Sequence, residues 1–301
     1  MVRETRSTEQ SVDTSQGIDT WESVEILSVL VAGQERAIAA VRDAIPQIAS
    51  AADALAKRLA AGGRLAYAGA GTSIRIAVQD GSELPTTFGM AEDKILYLIA
   101  GGKAAMFDTL ADAEDDAKAG QHDAAQLLST DTLVAVAASG HTPYTIAAAQ
   151  AAKAKGAYVI SVVNNSGSAL GALGDIEIVL ETGAEVIAGS TRLAAGTAQK
   201  AALNLLSTLS HIRLGAVYDG MMVNVQAGNI KLKLRAAEIV AKISGANIER
   251  AIQVLNDANA EVKPAVLLCS GAQNLETAQM LLKKTKGNLR LALAQLKLPQ
   301  I

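Results

Sequence analysis

Three textures of apolar and polar positions follow one another along the chain. From Trp21 onward apolar residues recur at helical spacing, with Ile26, Leu27, Leu30 and Val31 on one face. A second amphipathic stretch runs from about Glu35 to Leu59; Pro46 kinks or breaks it, and Gly62-Gly63 ends it. The pattern then shortens to five β-rich apolar runs: Leu65–Ala68, Ile95–Ile99, Leu133–Ala137, Tyr158–Val163 and Ile176–Leu180. Segments long enough for a helix, Pro143–Lys155 among them, lie between the runs. Strands alternating with helical crossovers predict a mostly parallel sheet covered on both faces, a doubly wound α/β domain. Beyond it comes a long Ala/Leu-rich helix, Leu193 to Leu214, and then only helices, near 229–243, 247–256, 260–269, 274–284 and 287–296. Ser244-Gly245 and Lys286-Gly287 are turn signals. The pattern Asn-Ile/Leu-Glu, at 247–249 and 274–276, marks helix starts without a long internal repeat.

This divides the 301 residues into an N-terminal arm with helices (1–54), the α/β domain (55–220) and a C-terminal helical region (221–301). Half of the residues are hydrophobic and only 3% aromatic, so Ala, Leu, Val and Ile carry the core, as suits helices packed on a sheet. A formal charge of −3 exerts no broad pull on nucleic acid or anionic lipid. Cys269 is the only cysteine, which excludes an intramolecular disulfide and fits a reducing compartment. The polar start, Met1 to Thr20, lacks the apolar core of a signal peptide, and no apolar run spans a membrane uninterrupted. The expectation is a cytoplasmic protein.

In open parallel sheets ligands bind beyond the carboxyl ends of the strands. Two strands here end in short Gly/Ser/Thr turns, Gly69-Ala70-Gly71-Thr72-Ser73 and Ser139-Gly140-His141-Thr142. Glycine lets the backbone turn tightly, N–H groups face outward, and hydroxyls add donors; with the helix dipole they make a phosphate cradle that requires no metal. A dinucleotide reading of the first turn fails at Ile74, which stands where a third glycine would allow close helix–strand packing. Glu83, between a small polar tripeptide and a Pro-containing turn, and Glu114, within Ala113-Glu114-Asp115-Asp116, offer carboxylates from separate loops for general acid and base work on a sugar. Each, taken singly, reads more readily as a cap or a solvated charge than as a catalytic group. His122, His141 and His211 are scattered and form no metal-ligand spacing, no G-x-S-x-G elbow is present, and Lys231–Arg235 reads as a solvated helix face.

Taken in order, Gly69-Ala-Gly-Thr-Ser, Ser82-Glu83-x-Pro85-x-Thr87-Phe88-Gly89, Ala113-Glu114-Asp115-Asp116 and Ala138-Ser139-Gly140-x-Thr142-Pro143-Tyr144 form a recognisable series. It continues with Gly189-Ser190-Thr191-Arg192-Leu193, Ala195-Gly196-Thr197-Ala198-Gln199-Lys200 and Val225-Gln226-Ala227-x-Asn229. From about residue 20 to the C-terminus the chain resembles the N-acetylmuramic acid 6-phosphate etherase family, a branch of the sugar isomerase (SIS) superfamily. The resemblance implies a flavodoxin-like sheet with a helical C-terminal region, a homodimer, no metal or nucleotide cofactor, and a place in peptidoglycan recycling. The implied reaction is cleavage of lactate from a phosphorylated amino sugar, with Glu83 and Glu114 as the acid/base pair. It also implies phosphate binding by Gly71, Thr72, Ser73, Ser139, Gly140, His141 and Thr142, with help from Ser190 and Thr191. Two other readings stay open: a non-catalytic sugar-phosphate sensor, and a sugar-phosphate aldose–ketose isomerase. Four departures from the family pattern stand out: Gln10-Ser11-Val12 after Thr8-Glu9, Ile74 for a glycine, His141 for an arginine, and Ala194 for a lysine. Losing an Arg and a Lys near an anion removes charge-assisted hydrogen bonds worth roughly 1.5–3 kcal/mol each, and Ile74 is expected to narrow the pocket.

Overall fold

A computed structural model describes residues 15–108, 110, 112–226 and 228–296. The departure at residues 8–12 and Ala227 lie outside the described residues. The described chain runs α1 (Ser23–Asp43), α2 (Ile45–Ala60), β1 (Leu65–Gly69), α3 (Gly71–Phe88), β2 (Ile95–Ile99), α4 (Ala117–Ala124), β3 (Thr132–Ala137), α5 (Pro143–Ala154), β4 (Tyr158–Val163), β5 (Ile176–Val179) and α6 (Ala194–Arg213). There follow β6 (Val217–Tyr218), β7 (Met221–Met222), α7 (Ile230–Ser244), α8 (Ile248–Asp257), α9 (Val262–Cys269), α10 (Leu275–Lys284) and α11 (Leu289–Leu296). Contacts gather into two compact units. One holds the described residues up to Gly81 with Asp93–Ser207; the other holds Ser82–Glu92 and everything from Thr208.

The first unit is built on a five-stranded sheet in the order β2-β1-β3-β4-β5, every pair parallel. The strands alternate sides as a pleat must. Ala66, Ala68, Leu133, Ala135, Ala137, Val159 and Val163 pack against α4 and α5 in one apolar cluster. On the opposite face Tyr67 donates from its hydroxyl to Asp80 of α3 (2.7 Å), and Asp80 also accepts from Asn204 (2.6 Å) and Ser207 (2.9 Å) of α6. This buried carboxylate, accepting from the strand and from α6, pins two helices to the first strand. Burial, and then the nearby Asp80 charge, push the Tyr67 hydroxyl well above its ordinary pKa, so it stays a donor.

At the amino end of the strands Asp131 is buried, and Arg64 donates to it with Nη2 at 2.6 Å, Nε at 3.1 Å and the backbone N–H at 2.9 Å, joined by the Leu128 N–H at 2.9 Å. Burial works against its charge, but the guanidinium and the two N–H groups outweigh it and hold Asp131 below the usual carboxylate range.

Four expectations are corrected. The stretch after α6 is not only helical, because β6 and β7 pair as a short antiparallel hairpin before α7. The first helix does not break near Glu35: α1 runs unbroken to Asp43, and Pro46 sits in the first turn of α2, where its missing N–H costs nothing. Glu83 and Pro85 are not in a loop, because α3 continues to Phe88 and carries both. And the C-terminal region does hold an internal repeat. Residues Asn247–Cys269 and Asn274–Leu296, offset by 27 positions, each form a helix, a turn and a helix. Asn247 and Asn274 each cap by accepting an N–H three residues on. Both turns carry two successive residues with positive φ, Asn259-Ala260 and Lys286-Gly287. Buried Ala251 matches Ala278, Val262 matches Leu289, and Ala265 matches Ala292. Identity survives at only five positions, Asn247/Asn274, Glu249/Glu276, Ala251/Ala278, Leu255/Leu282 and Ala265/Ala292, which is why the pattern is not legible as a repeat.

Candidate functional site

The order 2-1-3-4-5 puts the reversal of winding between β1 and β3, where the crossovers leave in opposite directions and open a crevice at the carboxyl ends. Both Gly/Ser/Thr turns lie there. After β1 the chain passes Ala70 and enters α3 at Gly71, whose φ is +54°. Gly69 permits this close passage: a Cβ there would stand 2.8 Å from the Val136 carbonyl oxygen and 3.3 Å from the Ile74 Cβ. After β3, Ser139 and Gly140 turn the chain into α5, which starts at Pro143. Gly140 has φ +66°, and a Cβ there would fall 2.2 Å from the Ser168 hydroxyl, so no other residue fits.

A cavity of about 500 Å³ lies between the two turns. Thr72, Ser73, Ser139 and Thr142 bring hydroxyls to it, Gly71 brings backbone, and the first turns of α3 and α5 end there. Their leading N–H groups have no helical acceptor, so two positive helix ends converge on one space. His141 lines it as well, exposed, with Nδ1 2.8 Å from the Ser139 carbonyl oxygen and its own N–H donated to the Ser139 hydroxyl at 3.1 Å. Glu114 and Asp115 reach the cavity from a 3₁₀ turn (Ala113–Asp115), both exposed. Asp116 does not: it caps α4 by accepting the Ala119 N–H at 2.9 Å. Thr191 closes the lining from the loop before α6.

Three expected residues stand elsewhere. Gly140 shapes the turn without lining the cavity, and Ser190 does not line it either, its N–H going to the Ile187 carbonyl. Glu83 lies exposed in the second unit, on the last turns of α3, and is not among the lining residues. Ile74 does not narrow the cavity: it is 1% exposed and turned into the core. Ala194 is also buried, and its N–H goes to Glu185.

Two residues that spacing did not single out hold this arrangement. Glu185, 1% exposed, accepts the N–H groups of Ala194 (3.0 Å) and Ala195 (2.9 Å), so the amino end of α6 is already filled by a carboxylate. That leaves the starts of α3 and α5 for an external anion. Gly196 then lets α6 pass close to Thr72 and Thr191, since a Cβ there would sit 3.3 Å from the Thr191 carbonyl oxygen and 3.5 Å from Thr72 Cγ2. Arg75, on α3, donates to the carbonyl oxygens of Ala105 (2.9 Å) and Asp108 (3.2 Å) and so ties down the segment leading to Glu114. Neither role is visible along the chain, because both partners are distant or are backbone atoms. Among the described residues no group of three His, Cys, Asp or Glu side chains could hold a metal ion.

Residues 47–153 match the glucokinase regulatory protein N-terminal SIS domain, and residues 106–209 match the SIS domain. The chain is 45% identical over 279 residues to the N-acetylmuramic acid 6-phosphate etherase of Streptomyces avermitilis, covering 92% of this chain and 90% of that protein. It is 40% identical to the enzyme of the same description from Deinococcus radiodurans, covering 96% of each chain. A solved structure described as a putative phosphosugar isomerase involved in capsule formation from Bacteroides fragilis superposes with a TM-score of 0.52 at 18% identity, over 69% of this chain and 99% of that one. At that identity the likeness is one of fold.

Proposed function

The chain belongs to the N-acetylmuramic acid 6-phosphate etherase family, and we propose that the cavity between β1 and β3 holds the substrate's phosphate while Glu83 and Glu114 carry the proton transfers. The enzyme cleaves the lactyl ether of N-acetylmuramic acid 6-phosphate, giving N-acetylglucosamine 6-phosphate and D-lactate. The observation that carries the site assignment is the gathering of five hydroxyl-bearing residues, two helix amino ends and the acidic pair Glu114 and Asp115 around one cavity.

The phosphate takes the N–H groups at the starts of α3 and α5 and the hydroxyls of Thr72, Ser73, Ser139 and Thr142, with Thr191 opposite. In the open-chain sugar the C1 aldehyde acidifies the C2 proton. Glu114 removes that proton, Glu83 protonates the ether oxygen, and the C3–O bond breaks to release D-lactate and leave a C2=C3 double bond. Water then adds its oxygen at C3 and a proton returns to C2, restoring both carboxyl groups to their starting states. Glu83 is assigned from its place in Ser82-Glu83-x-Pro85-x-Thr87-Phe88-Gly89, since it does not line the cavity.

No helix among the described residues is long and apolar enough to cross a membrane. A cytoplasmic place, a part in peptidoglycan recycling, no cofactor and no nucleic-acid partner complete the proposal, together with a homodimer. The dimer draws support from α1, whose Val24, Leu27, Val31 and Ile38 stand 75, 60, 55 and 46% exposed at helical spacing. The sensor and isomerase readings are not favoured: the regulatory-protein match covers residues 47–153 and the isomerase likeness is one of fold, whereas the relatives matched over nine-tenths of the chain are etherases. Release of D-lactate from N-acetylmuramic acid 6-phosphate tests the assignment. Glu114→Gln and Glu83→Ala should each lower kcat by about 100-fold or more with the fold intact. Full activity in either variant removes that residue from the chemistry.

A further inference from the structure

The second unit has a cavity of its own, about 490 Å³, within the range of small-molecule sites. Residues singled out in the sequence but absent from the phosphate cavity form part of its wall: Gly89 and Val225-Gln226. Gly89 has φ +67°, and a Cβ there would meet the Asn224 carbonyl oxygen at 2.7 Å, so glycine is what allows these two segments to touch. The first turn of α9 contributes Val262, Lys263 and Pro264, directly after the positive-φ pair Asn259-Ala260.

Lys263 is 8% exposed. Among the described residues its ammonium has one recorded partner, the Gly287 carbonyl oxygen at 2.6 Å, and no carboxylate within ion-pair distance. An ammonium carries three N–H donors, and a cation taken out of water without a counter-charge is costly. Burial has accordingly pushed this lysine down to about 8. The internal repeat supplies the comparison. Its equivalent in the second copy is Arg290, which is exposed, paired with Asp219 and laid over the Tyr218 ring. One repeat thus gives its cation a carboxylate in the exposed position, while the other buries its cation beside a cavity and gives it none.

We propose that this cavity binds a small organic anion, with Lys263 as the anchoring charge. The lining dictates the class. Asn224, Gln226 and Asn259 carry amides suited to hydroxyl or acylamino groups, while Val223, Val225, Val262 and Leu282 suit an aliphatic body rather than a bare inorganic ion. Glu261, exposed on the lining, opposes the anion and weakens the site. Both products of the proposed host reaction are organic anions, one a carboxylate and one a phosphate ester. The site itself stands independently of that assignment, which only selects the probes.

The test is the rate of acetylation of Lys263 by acetic anhydride in the full chain, read by peptide mass spectrometry. It is run in a Ser73→Ala/Ser139→Ala background, so that filling of the first cavity does not contribute. D-lactate, N-acetylglucosamine 6-phosphate and inorganic phosphate are added in separate arms. The site predicts that one of the two organic anions slows acetylation at least about three-fold, and the arm that does so identifies the source. Glu261→Gln should then halve or further lower the concentration needed, since it removes a nearby like charge without touching the Lys263 tie. Three results overturn the proposal: a Lys263 that never reacts, because the cavity is then closed; protection by neither organic anion; or equal protection by inorganic phosphate, which would make the site a bare charge with no pocket for a body. Unchanged half-protection in Glu261→Gln refutes the assigned geometry.

Discussion

Replacing Glu185 by alanine removes the cap of α6 and the anchor of the loop that carries Thr191. The carboxylate accepts from Ala194 at 3.0 Å and Ala195 at 2.9 Å, and all three residues are buried. Water cannot take over those donors, so each N–H is left unmet at a cost of about 1–3 kcal/mol. The lost charge–dipole interaction at a helix amino end adds about 0.5–1 kcal/mol. Set against this is the desolvation of the buried carboxylate itself, which the mutation relieves. The net expectation is about 2–4 kcal/mol of destabilisation. Urea unfolding measures it, with Glu185→Gln alongside, because glutamine keeps one acceptor oxygen without the charge and should fall between parent and alanine. Function gives a second reading. Thr191 belongs to the loop that Glu185 closes, so in the folded fraction KM should rise more than kcat falls. Stability within about 0.5 kcal/mol of the parent, with unchanged KM, would refute the reasoning. A glutamine variant more stable than the parent would show that the charge costs more than it returns.

The remaining expectations concern the cradle, the far end of the sheet and the surface of α1. Ser73→Ala and Ser139→Ala should raise KM with little change in kcat, while His141→Arg, restoring a planar fork beside the cavity, should lower KM several-fold; unchanged KM in all three moves the phosphate elsewhere. Asp131 is held below the usual carboxylate range, so its stabilisation is fully present above its unfolded pKa of about 4 and is lost as pH falls through the lower folded value. Asp131→Asn should therefore weaken the protein at neutral pH and lose the part of the acid-side decline that Asp131 supplies, which urea midpoints between about pH 3 and 7 would show. Leu27→Glu with Val31→Glu should convert a dimer into a monomer by light scattering; an unchanged mass excludes that face from the interface.

Much of the scaffold is legible because its signals are local. β1, β2, β4 and β5 lie within a residue of the apolar runs that predict them, and β3 begins one residue early, at Thr132. A strand buried on both faces needs a short, nearly continuous apolar run whatever its neighbours. The two Gly/Ser/Thr turns are legible for the same reason: Gly71 takes a positive φ that favours glycine, and at Gly140 a Cβ would also collide with Ser168. Glu114 reads as a candidate because it stands in an acidic cluster, on a segment separate from that of Glu83. What it faces does not read at all.

That second kind of fact belongs to the tertiary structure. Ser73, Glu114, Ser139 and Thr191 are separated by tens of residues, and they meet because parallel pairing sends β1 and β3 out side by side at the point where the winding reverses. Direction of burial is equally non-local: Ile74 and Ala194 look like changes to a pocket, and packing turns both inward. Glu83 reads as a loop residue because Pro85 signals a turn, yet α3 carries both, since packing outweighs a single helix breaker close to the helix's end. The repeat in the C-terminal region survives in caps and small buried side chains, which constrain geometry far more than identity. Whether each repeat's cation is paired in solvent, as Arg290 is, or buried beside a cavity, as Lys263 is, follows from which neighbours the fold brings to it. The sequence by itself determined the sheet's strands, most of the helices, their order and the chemistry on offer, because period and turn propensity act over a few residues. Only the tertiary structure decided which of those groups share a space.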